Sequence, residues 1–280
     1  MQIAHLLLVH VMNDQLIRLV NSLQHENYHV FIHIDKKAPI EPFLQLEKNN
    51  KATLVKNRVF VNWGGYSIVQ ATLNGFEEII AAKEHYDIVN LLSGQDYPIK
   101  NINYIYDFYK QNANTAFIET RNVFNDWTEA IPRITKYHFP DDRLPGSVIF
   151  EQVLGFILPK RKMPYSLIPV GRSQWFTLPI ECVEYILNYI NEHPKIISFF
   201  KYTWAPDELF FSTILFNSKH KEIIANNNLR YIDWAAGTPS PKVLTIAEAE
   251  TLKKSECLFA RKFIEDIDSS ILDFLDEINK

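Results

Sequence analysis

The sequence predicts an α/β protein with a mixed, mainly parallel central sheet flanked by helices, and three observations carry this. Short apolar runs at 3–9, 29–34 and 87–92 are each bounded by polar turn residues, as strands buried on both faces are. Between the second and third, Val69, Thr72, Leu73, Phe76, Ile79 and Ile80 recur at helical spacing, which supplies the crossover that parallel strands need. Both periods then vanish between about 121 and 170, where Pro132, Pro140, Pro145, Pro159, Pro164 and Pro169 interrupt the chain.

Taken in order, the first run is too short to span a bilayer and lacks a basic flank, so it reads as a buried strand. The helix over 68–82 turns Glu77, Glu78 and Lys83 outward. A helix at 101–111 and a short strand at 116–119 follow. The proline-rich stretch is expected to be a long, partly mobile surface excursion carrying Lys160-Arg161-Lys162. Regular structure resumes with a strand at 174–178, helices at 179–193 and 206–217, a strand at 229–234 and two C-terminal helices. With 280 residues and 47% hydrophobic content, one large core suffices, so we expect a single domain over 1–280.

Composition narrows the function. A net charge of −4 leaves no polycationic surface, which excludes duplex nucleic acid as the main partner. Cys182 and Cys257 have no neighbour at metal or redox spacing, and a reducing cytoplasm is the expected setting.

The chemistry concentrates at strand ends and at one acidic pair. Asp35 and Asp96 follow buried strands, at the carboxyl edge where open α/β sheets bind ligands, although a turn-capping role fits the same position. In Trp63-Gly64-Gly65-Tyr66-Ser67, two glycines permit close backbone approach and Ser67 is placed to cap the next helix. Glu119 ends another strand and is a candidate acceptor of sugar hydroxyl bonds, with an exposed salt bridge as the alternative.

Asp207 and Glu208 follow Pro206 on the first turn of an apolar helix. Capping explains one acid, so Glu208 is the candidate general base and Asp207 its support, with two acids that merely complement the helix dipole as the alternative. A glycosidase would need two carboxyls held apart across a bond, which adjacent residues rarely provide. An inverting transferase needs one base, plus cations for a phosphate-bearing leaving group. Lys242, Arg261 and Lys262 are the candidate cations, with a solvated helix charge as the alternative for each taken singly, since no Asp-x-Asp triplet follows a predicted strand and the nearest acidic pair, Asp141-Asp142, lies in the excursion. No metal site and no cofactor are therefore expected.

These blocks together resemble the Core-2/I-branching β-1,6-N-acetylglucosaminyltransferase family, which includes the peptide O-xylosyltransferases, and the chain looks like a short bacterial member. The likeness runs through nearly the whole length. It rests on His33-Ile34-Asp35-Lys36, Trp63-Gly64-Gly65-Tyr66-Ser67, Leu92-Ser93-Gly94-Gln95-Asp96-Tyr97-Pro98, Gly171-Arg172-Ser173-Gln174-Trp175-Phe176, Pro206-Asp207-Glu208-Leu209, Asn228-Leu229-Arg230-Tyr231-Ile232-Asp233-Trp234 and Phe259-Ala260-Arg261-Lys262, in that order. The resemblance implies a modified GT-A (Rossmann-like) fold, a UDP-sugar donor, inversion and no divalent metal. It divides the chain into a nucleotide-binding half at 1–120 and an acceptor and catalytic half at 171–280.

By position, Val9, Asp35, Trp63 and Ser67 would contact the nucleotide, Lys262 and Lys242 the diphosphate, and Glu208 would be the base. Lys242 stands where the branching enzymes have arginine. Glu119, Trp175, Tyr231 and Trp234 resemble acceptor-side positions. The expected reaction moves N-acetylglucosamine, or secondly xylose, to a glycan or lipid-linked glycan of a bacterial surface polysaccharide, in the cytoplasm. A non-catalytic nucleotide- or glycan-binding module of the same fold is the alternative. Peripheral contact with the inner face of the membrane is a second reading of 153–158 beside its basic triplet, after burial of that segment.

Overall fold

The computed structural model describes residues 1–48, 52–141, 158–235, 237 and 240–279. Strands β1 (Ile3–Val9), β2 (Tyr28–Ile34), β3 (Thr53–Leu54) and β4 (Ile88–Ser93) form the parallel part of a seven-stranded sheet. The sheet continues through β9 (Thr177–Pro179), β6 (Ala116–Phe117) and β10 (Ile224–Ala225), in the order β10-β6-β9-β4-β1-β2-β3. β9 runs antiparallel to both β4 and β6, so the sheet is mixed but mostly parallel. A three-stranded sheet joins β11 (Arg230–Ile232), β12 (Phe259–Arg261) and β5 (Asp96–Pro98), and a ribbon pairs β7 (Arg121–Asn122) with β8 (Val170–Gly171).

The period of two in the strands decides the layering. Ala4, Leu6, Phe31, Val89 and Leu91 face one core with helices α3 (Tyr66–Ile80), α6 (Ile180–Glu192), α7 (Pro194–Phe200) and α8 (Phe210–Phe216). Ile3, Leu7, Val30, Ile32, Ile88 and Leu92 face the other, with α1 (Asp14–Ser22), α4 (Ile102–Gln111), α9 (Ala249–Lys254) and α10 (Ser270–Ile278). The strands are apolar on both faces because helices cover both. α3 lies so close to β1 that a Cβ on Gly75 would meet Leu6 Cδ1 at 2.5 Å.

Three expectations change. The helix over 206–217 is broken: a 3-10 turn, Pro206–Glu208, ends at Leu209, whose φ of −125° is not helical, and α8 starts at Phe210. Ser67 does not cap α3; Gly65 holds the cap position, and the Asp141 carboxylate accepts from the Ser67 amide at 3.1 Å and its hydroxyl at 2.6 Å. The excursion is also less irregular than its prolines suggest. Its described parts include β7, a 3-10 turn at Thr128–Ala130, the short helix α5 (Ile131–Thr135) and β8.

In Lys160-Arg161-Lys162, the Arg161 guanidinium is buried and donates to the carbonyls of Lys136, Tyr202 and Phe199. That arginine is a structural staple and cannot face a membrane. Residues 153–157 lie outside the described part. No helix among the described residues is long and apolar enough to cross a membrane.

Candidate active site

One cleft of about 1440 Å³ opens over the carboxyl ends of the parallel strands, where the chain diverges from β1 to its neighbours on either side. Most of the residues singled out in the sequence line it: Val9, Asp35, Trp63, Glu119, Trp175, Asp207, Glu208, Trp234, Arg261 and Lys262. Ser67, Lys242 and Tyr231 are not part of the lining. Ser67 is occupied by Asp141, Lys242 pairs with Glu248 at 2.6 Å, and Tyr231 lies in β11 beside the cleft rather than in its wall.

On the β2 side, Asp35 Oδ1 accepts from the amides of Lys37 at 2.9 Å and Val61 at 3.2 Å. The Arg58 guanidinium donates to the carbonyls of Ile34, Asp35 and Ala38, fixing the turn that carries Asp35. Trp63 projects at the rim, 61% exposed and edge-on to Trp204 at 5.3 Å between ring centroids. Gly64, at φ +75°, lies under the Trp204 ring, where a Cβ would come within 3.1 Å.

The acidic pair sits on its own turn. Ala205, in the left-handed region at φ 47°, turns the chain, and its amide bonds to Gly64 O at 2.8 Å. Glu208 pairs with Arg133 at 2.5 Å. Asp207 is buried, and its Oδ1 has no hydrogen-bond partner. Burial, then the neighbouring Glu208 charge, raises the Asp207 pKa, so this carboxyl is held toward its neutral form beside a paired one. Behind the turn, Gly171 is packed so tightly that a Cβ would lie 2.0 Å from the Glu208 carbonyl oxygen, which also accepts from the Arg172 amide at 3.1 Å.

The cationic side separates into two environments. Arg261 is inward: its guanidinium lies 4.0 Å from the Trp175 ring centroid and 3.1 Å from Asp96. Asp96, fully buried, also accepts from the Ser93 amide at 2.8 Å and hydroxyl at 3.0 Å, so of its two readings the structure shows the architectural one. Lys262 keeps its ammonium accessible, 2.9 Å from Ser240 Oγ. Lys262 and Glu208 therefore face one cavity, with Arg261 anchoring the strand that presents the lysine.

Glu119 accepts from Asn228 Nδ2 at 3.0 Å, and burial raises its pKa against the pull of Arg121 and Arg172. Trp234 stands 50% exposed on the far rim. Two parts of the site were missed in the sequence. Arg133 and Trp127 come from the proline-rich stretch, the guanidinium 4.9 Å from the indole, and neither follows a recognisable strand end. Arg230 is buried beneath the floor, donating to Thr177 Oγ1 at 3.1 Å, Leu91 O at 2.9 Å and Phe176 O at 3.1 Å, and to Asn90 Oδ1. Its position inside an alternating strand gave a weak signal, since it occupies the inward phase. Among the described residues no group of three or more His, Cys, Asp or Glu is placed to hold a metal ion.

A sequence profile described as Core-2/I-Branching enzyme matches residues 3–255. Among curated proteins, xylosyltransferase 2 of Rattus norvegicus is 25% identical over 303 residues, covering 98% of this chain and 33% of that protein. Xylosyltransferase oxt of Drosophila melanogaster is 25% identical over 291 residues, covering 94% and 32%. The chain thus spans about a third of the length of the curated relatives it matches. A solved structure of mouse xyloside xylosyltransferase 1 is a distant likeness, with 11% identity, a TM-score of 0.41 and coverage of 92% of this chain and 97% of that one.

Proposed function

The chain belongs to the Core-2/I-Branching enzyme family, and on that premise we propose that it is an inverting glycosyltransferase moving a sugar from a UDP-sugar to a hydroxyl of a glycan acceptor. The observation that carries this reading is the placement of Glu208 and Lys262 in one cleft at the carboxyl edge of the sheet. Glu208 takes the proton of the acceptor hydroxyl as its oxygen attacks the anomeric carbon. The bond from that carbon to the diphosphate breaks on the opposite face, and UDP departs with the electron pair toward the Lys262 ammonium. Asp207, held toward neutrality, supports the turn without adding a second charge beside the base. Arg133 orients the Glu208 carboxylate through their ion pair.

We assign Val9, Asp35 and Trp63 to the nucleotide, and Glu119, Trp175 and Trp234 to the acceptor side; these residues share the cleft with the base. Ser67 and Tyr231 act behind it. Lys242 would have to leave Glu248 to reach a diphosphate, so Lys262 is the main counter-charge. The reading gives the leaving-group charge to side chains instead of a divalent ion, and UDP release is expected to persist in EDTA.

The donor we assign first is UDP-N-acetylglucosamine, by the resemblance to branching enzymes; UDP-xylose is the second, supported by the xylosyltransferase relatives. We further assign a surface-polysaccharide acceptor and a cytoplasmic enzyme working at the inner face of the membrane, which rest on the sequence resemblance alone. Glu208→Gln tests the core of the proposal: transfer should drop by at least about a thousandfold while UDP binding is retained, because the base is lost and the cations remain. Unchanged transfer in that variant would refute the assignment of Glu208 as the base, whereas UDP binding without transfer by the natural protein would favour a binding module.

A further inference from the structure

We propose that the acceptor carries an anionic group, a carboxylate or a phosphate, bound by Arg121 and Arg172 beside Glu208; this rests on the transferase reading above. The two-stranded ribbon sets the geometry. Its register pairs Arg121 with Gly171, the last residue of β8, which puts Arg172 immediately beyond that strand's end. The Arg172 amide bonds to the Glu208 carbonyl, so the ribbon is fastened to the turn that holds the base. Arg121 and Arg172 both line the cleft and both act electrostatically on Glu119.

Charge balance then points to a ligand. Three guanidiniums, Arg121, Arg133 and Arg172, meet two carboxylates, Glu119 and Glu208, with Asp207 held toward its neutral form. Arg133 is committed to Glu208. Among the described residues Arg121 and Arg172 form no ion pair within 4.0 Å, and both side chains are exposed to the cleft solvent. The contrast with Arg58, whose donors are taken up by three carbonyls, shows that these two are not spent on architecture. Trp127, buried, is flanked by the guanidiniums of Arg133 at 4.9 Å and Arg172 at 5.4 Å, which restrains both forks around a planar support. Arg172, held this way, and Arg121 beside it are permanently charged, planar donors, which suit the oxygens of a carboxylate or phosphate.

Equilibrium binding with saturating UDP tests this, using methyl β-glucuronide, methyl β-glucoside and glucose 6-phosphate as probes. The anionic probes should bind at least about tenfold more tightly than the neutral one, the scale of one charge-assisted hydrogen bond, and the tighter anion identifies the source. In an Arg121→Gln/Arg172→Gln double variant the gap should close. As a second measure on the unaltered protein, 0.5 M salt should narrow it through screening. Equal affinities, a lack of binding by both anions, or a gap that survives the double variant would overturn the proposal. Failure of every UDP-sugar donor would sink the transferase reading instead, and leaves the binding comparison to decide this one.

Discussion

Asp207 and Glu208 are adjacent in sequence and opposite in environment. The Glu208 carboxylate meets a guanidinium, whereas Asp207 is buried with an unpartnered oxygen. Asp207 rises from 3.8 to about 7 through burial and the Glu208 charge. A raised folded-state carboxyl pKa makes the folded protein the better proton binder, so stability falls as pH climbs from about 4 to about 7 and levels off above. Asp207→Asn removes that penalty. Its melting temperature relative to the natural protein should improve steadily across that window in a thermal-melt series, and a difference that does not vary with pH would contradict a neutral Asp207. Gly171 makes the second residue-scale case. A Cβ 2.0 Å from the Glu208 carbonyl oxygen forces backbone movement, so Gly171→Ala should cost about 1–3 kcal/mol in denaturant unfolding and slow transfer by displacing the base.

At the scale of elements, the site is assembled from turns and ribbons fastened to helices and strands. α3 begins with a glycine cap that has no side chain, and Asp141, 74 residues further on, serves as the missing acceptor for Ser67. Asp141→Ala should therefore lower stability by about 1 kcal/mol, read as a lower urea midpoint at unchanged slope. The acidic turn is similarly held from outside, by Gly64 O at Ala205 and by the Arg172 amide at Glu208. A helix running straight through Leu209 would swing the two carboxylates around the axis, so its break matters to where Glu208 is presented.

For the whole molecule, the two cores on opposite faces of the sheet leave the cleft where the parallel strands end and the mixed strands begin. Arg230 closes the floor at that boundary by donating to β4, to β9 and to Phe176 just before β9. Such a site should be stabilised as a unit by its nucleotide. With UDP at about a hundred times its Kd, the native state gains about 2.7 kcal/mol, which for 280 residues corresponds to a rise in Tm of about 5 °C. Differential scanning fluorimetry checks this, and an unmoved Tm at millimolar UDP would count against a nucleotide site.

The sequence by itself determined the sheet and its layers, because apolar runs and helical spacing are local patterns that survive in one dimension. It also marked Asp35, Trp63, Glu208 and Lys262 for one site, through strand ends and motif order. Only the tertiary structure decided what those residues do to one another. It brought Arg133 to Glu208 across 75 positions, turned Arg261 inward onto Asp96, and gave Ser67 to Asp141. Charge pairing and burial depend on distances between segments far apart in the chain, and no periodicity along the sequence records them.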